Sequence, residues 1–337
     1  MSFLIRQTLI YAVPLMIVAL AGIFAERSGV INLALEGIMI FGAFIGVLCV
    51  RMLQVTPVFE AAKAAGSFWG LQGLMFLAML AAALLGSIFS LLLAFAAINL
   101  RADQTIGGTA LNLMAPALVL FLVRMIANQN TLYMASGDSA SYFMLKKSHL
   151  GYGRTEEMGF LGDTFLNKVY LATYFCILVY VILSIILYKT KFGLRLRSCG
   201  ENPQAADSLG INVYRMRYSG VLISGMLGGI GGMAYIIPSV SSWNFEVGVS
   251  GAGFLALAVM IFGQWKPFRI FFAAVFFALF KSLANIASSI PLLASLGWTQ
   301  NMYNMIPFIA SMIILAFTSK KSRAPKAEGI PYDKGSR

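Results

Sequence analysis

Residues 189–217 read KTKFGLRLRSCGENPQAADSLGINVYRMR, and the runs on either side, 169–188 and 218–238, are almost wholly apolar. The stretch holds six of the chain's 25 Lys and Arg residues. Each flanking run has about 20 residues, the length an α-helix needs to cross a hydrocarbon core roughly 30 Å thick. A basic, polar segment between two such runs marks a cytoplasmic loop of a membrane protein.

Working outward, the same pattern recurs along all 337 residues. The chain is 59% hydrophobic and 11% charged, against about 25% charged in soluble domains, and its mean hydropathy is +0.81. The apolar runs are 8–24, 31–50, 73–98, 106–127, 169–188, 218–238, 251–264, 269–288 and 302–318. The expected fold is therefore an all-α integral membrane protein, a polytopic bundle of about nine transmembrane helices, with eight or ten also compatible. The seventh run is short and Gly-flanked, which predicts a broken or re-entrant helix lining a cavity. The first run ends in AERSG, without a small-residue cleavage site, and reads as a retained span.

The net charge of +12 does not point to nucleic acid, because the basic residues flank the spans and no basic patch is interleaved with aromatics. They set an orientation instead. Residues 189–217 and the tail, with six basic residues each, fall on the cytoplasmic side, and QWKPFR adds Lys266 and Arg269 there. The charge-balanced loop 128–168 and the N-terminus then lie outside. The expected organisation is a transmembrane domain over 1–318, with 128–168 extracytoplasmic and 189–217 cytoplasmic. Residues 319–337 form a basic, Gly- and Pro-containing tail expected to be disordered. Cys49, Cys176 and Cys199 are too scattered for a disulfide framework or a metal site.

Inside the opening stretch, Asn202 is a good N-cap and Pro203 suits the first helical turn. Residues 204–209 continue a helix and Gly210 fits the left-handed position that ends it. Two turns are not stable alone in water, so the element is held either by lipid headgroups or by protein.

The run FGLRLRSCGENPQAADSLGINV, followed by SGMLGGIGGMA, resembles the cytoplasmic coupling region of permeases of ATP-binding-cassette importers, in the branched-chain amino acid, ribose and nucleoside group. AERSGVINLALEGIMIFGAFIG (25–46) resembles the N-terminal signature of the simple-sugar or nucleoside subgroup, and GAGFLALAVMIFGQWKP (251–267) its second-half signature. The resemblance implies a type II importer permease fold. It makes Glu201, Asn202, Pro203, Gln204, Ala205 and Ala206 a coupling helix that docks on a separate ATPase subunit. It also implies a second, different permease chain, an external substrate-binding protein, and a bacterial cytoplasmic membrane location. ATP is then used by the ATPase, and this chain binds no cofactor. The ERSGVINLALEG form is closer to the nucleoside subgroup than to the ribose one, so nucleosides are the expected cargo and a simple sugar the alternative.

Glu36 lies in the second apolar run, four residues after Asn32 and on the same helical face. A carboxylate at membrane depth is costly and turns to a cavity or a partner. Either it lines a translocation path with Asn32, Asn112, Gly251 and Gly253, or it pins a helix break by pairing with a backbone amide or a cation such as Arg27. Gly225/Gly229 and Gly228/Gly232 are small-xxx-small pairs suited to close helix packing. They do not spell GxGxxG and follow no strand, so they bind no dinucleotide. Trp243 and Phe245 fit an interfacial belt.

Two other classes fit less well. An ion-coupled transporter would show more intramembrane acids than Glu36. A membrane enzyme lacks the means: His149 is the one histidine and lies in the outer loop, which rules out HExxH and Ser-His-Asp chemistry within the spans. The chain also lacks GxxxxGK[ST], so it hydrolyses no ATP by a P-loop.

Overall fold

Each of the nine apolar runs is occupied by a helix in the computed structural model, which describes residues 2–133, 143–153, 158–239, 242–244, 248–287, 295, 297–318 and 324–335. Seven helices are long and apolar enough to span a bilayer among the described residues. They are α1 (Ser2–Glu26), α2 (Leu35–Gln54), α4 (Phe68–Ala94, extended by a π-helical turn Phe95–Asn99), α5 (Gln104–Ala127), α7 (Leu171–Lys189), α10 (Val213–Ile236) and α12 (Pro267–Ile286). The two remaining apolar helices are α11 (Ala252–Phe262) and α13 (Gln300–Thr318). Among the described residues four short α-helices connect or flank them: α3 (Pro57–Ala64), α6 (Gly159–Phe165), α8 (Lys191–Glu201) and α9 (Pro203–Ser208).

At the centre stands α10, packed on α4, α1 and α2. Its glycines explain how four helices approach so closely. A Cβ on Gly229 would run into the Ala82 carbonyl oxygen of α4, and one on Gly232 into the Met39 carbonyl oxygen of α2. Facing glycines meet as well, since a Cβ on Gly42 would sit 2.7 Å from the Gly229 carbonyl oxygen. Close backbone contact replaces the hydrophobic driving force that lipid removes. Hydroxyls tie the same seam, with Ser90 Oγ donating to the Val221 carbonyl at 3.2 Å and Ser87 Oγ to that of Leu222 at 3.1 Å.

The faces of the bundle are set by α1. Near its start, Arg6 donates to the Asp163 carbonyl at 3.0 Å and lies 3.7 Å from the Asp163 carboxylate, so the N-terminus and the 128–168 loop share one face. Here β1 (Thr131–Tyr133) pairs antiparallel with β4 (Ser242–Asn244), placing Leu132 opposite Trp243. Two further short strands, β2 (Met144–Leu145) and β3 (Val169–Tyr170), pair likewise. Trp243 is buried inside the protein at this pairing and its Nε1 donates to the Gly248 carbonyl at 3.3 Å, so its ring does not stand out into an interfacial belt. Phe245 lies outside the described residues. The other end of α1 meets α8, the α11–α12 turn and the tail on the opposite face.

One element was not foreseen and one expectation needs correction. The basic run before the capped helix is itself a helix, α8, capped by the Thr190 side chain on the Gly193 amide at 3.3 Å. Its buried face is Gly193, Leu196, Cys199 and Gly200, and small residues give little hydropathy signal. The tail is not disordered over 324–335. The Ala327 amide donates to the Gly200 carbonyl at 2.9 Å, Arg217 Nη1 donates to the Ile330 carbonyl at 2.9 Å, and Tyr332 is buried. Arg217 is among the largest fully buried side chains, and the tail supplies a carbonyl that this buried cation would otherwise lack.

Candidate functional site

The break between α1 and α2 exposes backbone amides that no intrahelical carbonyl can satisfy. Side chains from two other helices, α5 and α10, reach in. Asn112 of α5 accepts from the Gly37 amide at 2.8 Å through Oδ1 and donates to the Leu33 carbonyl at 2.6 Å through Nδ2. Gln104 Oε1 accepts from the Ile31 amide at 2.7 Å. Asn32 accepts from the Ala34 amide at 3.1 Å and donates to Ser224 Oγ of α10 at 2.8 Å.

Glu36, on the first turn of α2, faces the start of α11. Its Oε1 accepts from the Gly251 amide at 3.0 Å and its Oε2 from the Gly253 amide at 2.6 Å. The two glycines are needed for different reasons. Gly251 adopts the left-handed φ of +74°, which costs a residue with a Cβ strain. A Cβ on Gly253 would lie 2.5 Å from the Glu36 Cα, so only glycine lets α11 approach α2. With 11 residues, α11 is about 16 Å long, half a hydrocarbon core. With its Trp265 end at the bundle face, its Glu36 end lies at membrane depth. The carboxylate thus meets the positive end of a half-helix.

Trp265 donates through Nε1 to Glu26, the last residue of α1. Both ends of α11 are therefore held by carboxylates that bracket the α1–α2 break. Arg27, next along, does not pair with Glu36. It forms a 2.9 Å ion pair with Glu201, and a Cβ on Gly200 would run into the Arg27 carbonyl oxygen.

On that face Asn202 Oδ1 accepts from the Ala205 amide at 3.0 Å, Pro203 opens α9, and Gly210 follows with φ +80°. Glu201, Asn202, Gln204 and Ala205 are exposed and Pro203 is half-buried. Ala206 is 2% exposed, packed with Cys199, Val213 and Tyr332. It therefore anchors α9 and does not belong to its exposed surface. Burial pushes the Cys199 thiol beneath it up to about 11, against the opposing charge of Arg217, so it stays a thiol.

Sequence reasoning found the polar residues of the breaks but not their partners. Gln104, Ser224, Glu26 and Trp265 carried no signal beyond being polar or aromatic near a span end. Asn32, Glu36, Asn112, Gly251 and Gly253 are brought into one neighbourhood around the α1–α2 break. Their polar atoms are engaged with backbone and with Ser224. Two clefts lie elsewhere: one of about 660 Å³ beside Arg51 and Tyr133, and an apolar one of about 570 Å³ between α1, α7 and α12.

A helical bundle of this kind, with a half-helix held at both ends and a capped helix standing between two spans, defines a multi-pass membrane transport protein. Residues 4–316 match the family described as branched-chain amino acid transport system / permease component, and the chain belongs to that family. It is 41% identical over 100% of its length to the guanosine ABC transporter permease protein NupQ of Bacillus subtilis, covering 98% of that protein. To the nucleoside ABC transporter permease protein NupC of Lactococcus lactis it is 39% identical over 99% of its length and 98% of that protein's. A different protein of the same Lactococcus strain, the nucleoside ABC transporter permease protein NupB, is 24% identical over 98% of the chain and 85% of its own length. No solved structure matches.

Proposed function

We propose that this chain is a permease subunit of an ATP-driven importer that carries nucleosides across a bacterial cytoplasmic membrane. The observation that carries the reading is α9: a capped helix, exposed on its outer side and fixed through Glu201 and Gly200 to the end of α1. A helix so anchored transmits motion, whereas a flexible loop would absorb it. The full-length similarity to nucleoside permeases supports the cargo class.

In this reading a separate ATPase subunit docks on Glu201, Asn202, Pro203, Gln204 and Ala205 and uses the ATP, so this chain binds no cofactor. A substrate-binding protein delivers cargo to the opposite face. The partner permease is a different chain, a reading favoured by the weaker similarity to a second permease of one organism. Asn32, Glu36, Asn112, Gly251 and Gly253 shape the passage by fixing the α1–α2 break and the start of α11. Uncharged nucleosides suit a passage whose one acid is already hydrogen-bonded to backbone amides.

The test is uptake in membrane vesicles holding this chain, its ATPase and a second permease. ATP-dependent guanosine uptake that ribose does not compete out is expected. Ribose uptake without nucleoside uptake would reassign the cargo, and uptake driven by an ion gradient without ATP would overturn the reading. Ala205→Arg is expected to abolish uptake and ATPase association while leaving insertion intact.

A further inference from the structure

Beside α9 the tail builds something. Residues 325–334 cross the whole α9-bearing face as a strap, touching four separate elements. The Ala327 amide bonds the Gly200 carbonyl of α8 at 2.9 Å, and the Gly329 amide bonds the Gly29 carbonyl after α1 at 3.3 Å. Arg217 of α10 holds the Ile330 carbonyl, and the Tyr332 ring meets Tyr214 edge-on at 5.4 Å. Finally Asp333 receives both Arg101 nitrogens, at 3.0 and 3.1 Å, from the turn between α4 and α5. Bidentate pairing of this kind fixes direction as well as distance.

The strap ends alongside α9. A groove of about 390 Å³ has Asn202, Gln204 and Ala205 on one wall and Tyr332, Asp333 and Lys334 on the other. A second groove, of about 310 Å³, continues past Asp207 to Asn212 and again has Lys334 on its rim. A protein that grips the exposed side of α9 therefore meets Lys334 at the junction of both grooves.

We propose that residues 332–334 are the second wall of the docking face for the ATPase subunit, so that the ATPase grips α9 and the strap together. The inference rests on the reading of α9 as the coupling helix. Three features favour a polar protein partner over lipid headgroups. The groove walls are amide, carboxylate, phenol and ammonium groups rather than an apolar stripe. The wall is preorganised by Tyr332 and the Arg101–Asp333 pair, which lowers the ordering cost of binding. The strap also joins the α1–α2 break, α8, α10 and the α4–α5 turn, so a load on Lys334 is shared among these four places.

The experiment places a photoreactive benzophenone residue at Gln204 or at Lys334 in the assembled transporter and maps what each captures. The expected result is capture of the ATPase subunit from both positions. Capture from 204 alone overturns the strap proposal and leaves the coupling helix standing. Capture from 334 alone removes the coupling role of α9 and with it the joint grip proposed here. Capture from neither overturns both, and lipid adducts at 334 would assign the strap to the membrane surface. As a second arm, Arg101→Glu is expected to weaken capture at 334 by up to about five-fold while sparing 204. Arg101→Glu combined with Asp333→Arg should restore it. Undiminished capture in Arg101→Glu would overturn the anchoring.

Discussion

Glu36 acts as a cap before it can act as anything else. Its two oxygens satisfy the Gly251 and Gly253 amides, and hydrogen bonds to a charged group are each worth about 1.5–3 kcal/mol. Glu36→Gln keeps one acceptor and turns an NH2 toward the other amide. The expected outcome is a loss of about one such bond, seen as less membrane-inserted protein and lower uptake in parallel. Normal insertion with lost uptake would instead put the charge in contact with cargo. Gly253→Ala should be worse, because its Cβ meets the α2 backbone, which cannot step aside. Its cost is expected to reach or exceed the roughly 1–3 kcal/mol typical of overpacking. Sequence alone identified Glu36 as an expensive intramembrane acid, but left its partner open. The reason is physical: the partners are backbone amides 215 and 217 positions away, and a backbone amide has no residue type to read.

Among the elements, α10 sets the strictest demand. Gly228 and Gly229 are neighbours in sequence with different surroundings. A Cβ on Gly228 would press on the Cγ2 methyl of Ile38, a side chain that can yield by a small shift, whereas one on Gly229 would press on the Ala82 carbonyl of the α4 backbone, which cannot. Gly228→Ala is therefore expected to insert and transport at a reduced level, and Gly229→Ala to lose folded protein altogether. Size-exclusion profiles of the two fluorescently tagged variants in detergent check this, and equal profiles would remove the seam argument. The helices themselves were legible because twenty-residue apolar runs leave the backbone one way to satisfy its hydrogen bonds in lipid. The helix α8 was not, since its inward face is two glycines, a leucine and a cysteine. The cap on α9 was legible in Asn202, Pro203 and Gly210, each acting through its own backbone. The inward turn of Ala206 depended on Tyr332, 126 residues further on, and had no local sign.

At the scale of the whole molecule, the strap closes a circuit that runs from α9 through Arg27 to the α1–α2 break and α11. Its lysines and glycines read as a solvated tail, yet Arg217 and Tyr214 on α10 supply what the tail lacks alone: a buried donor and an aromatic wall. One strap residue makes this docking depend on pH. Burial beside the Glu26 carboxyl pushes the Glu328 carboxyl up to about 7, with the Arg27 guanidinium opposing. The docked strap therefore holds the Glu328 proton more tightly than a released strap, whose carboxyl titrates near 4.5. Docking is strongest below that ordinary value and weakens as pH rises from about 4.5 to about 7, with no further loss above. Glu328→Gln removes the titrating proton, keeps the shape, and should hold the strap equally well throughout. A spin label at Lys334 reads the difference: its mobility in the wild type is expected to increase between about pH 5 and pH 8, and to stay low and flat in Glu328→Gln. Arg27→Ala should exaggerate the wild-type trend, since it deletes the cation that opposes the shift and leaves Glu26 and Glu328 facing each other. Equal mobility of the wild-type label at both ends of the range would mean that Glu328 keeps an ordinary carboxyl and that the strap is held by Arg217, Tyr332 and Asp333 alone.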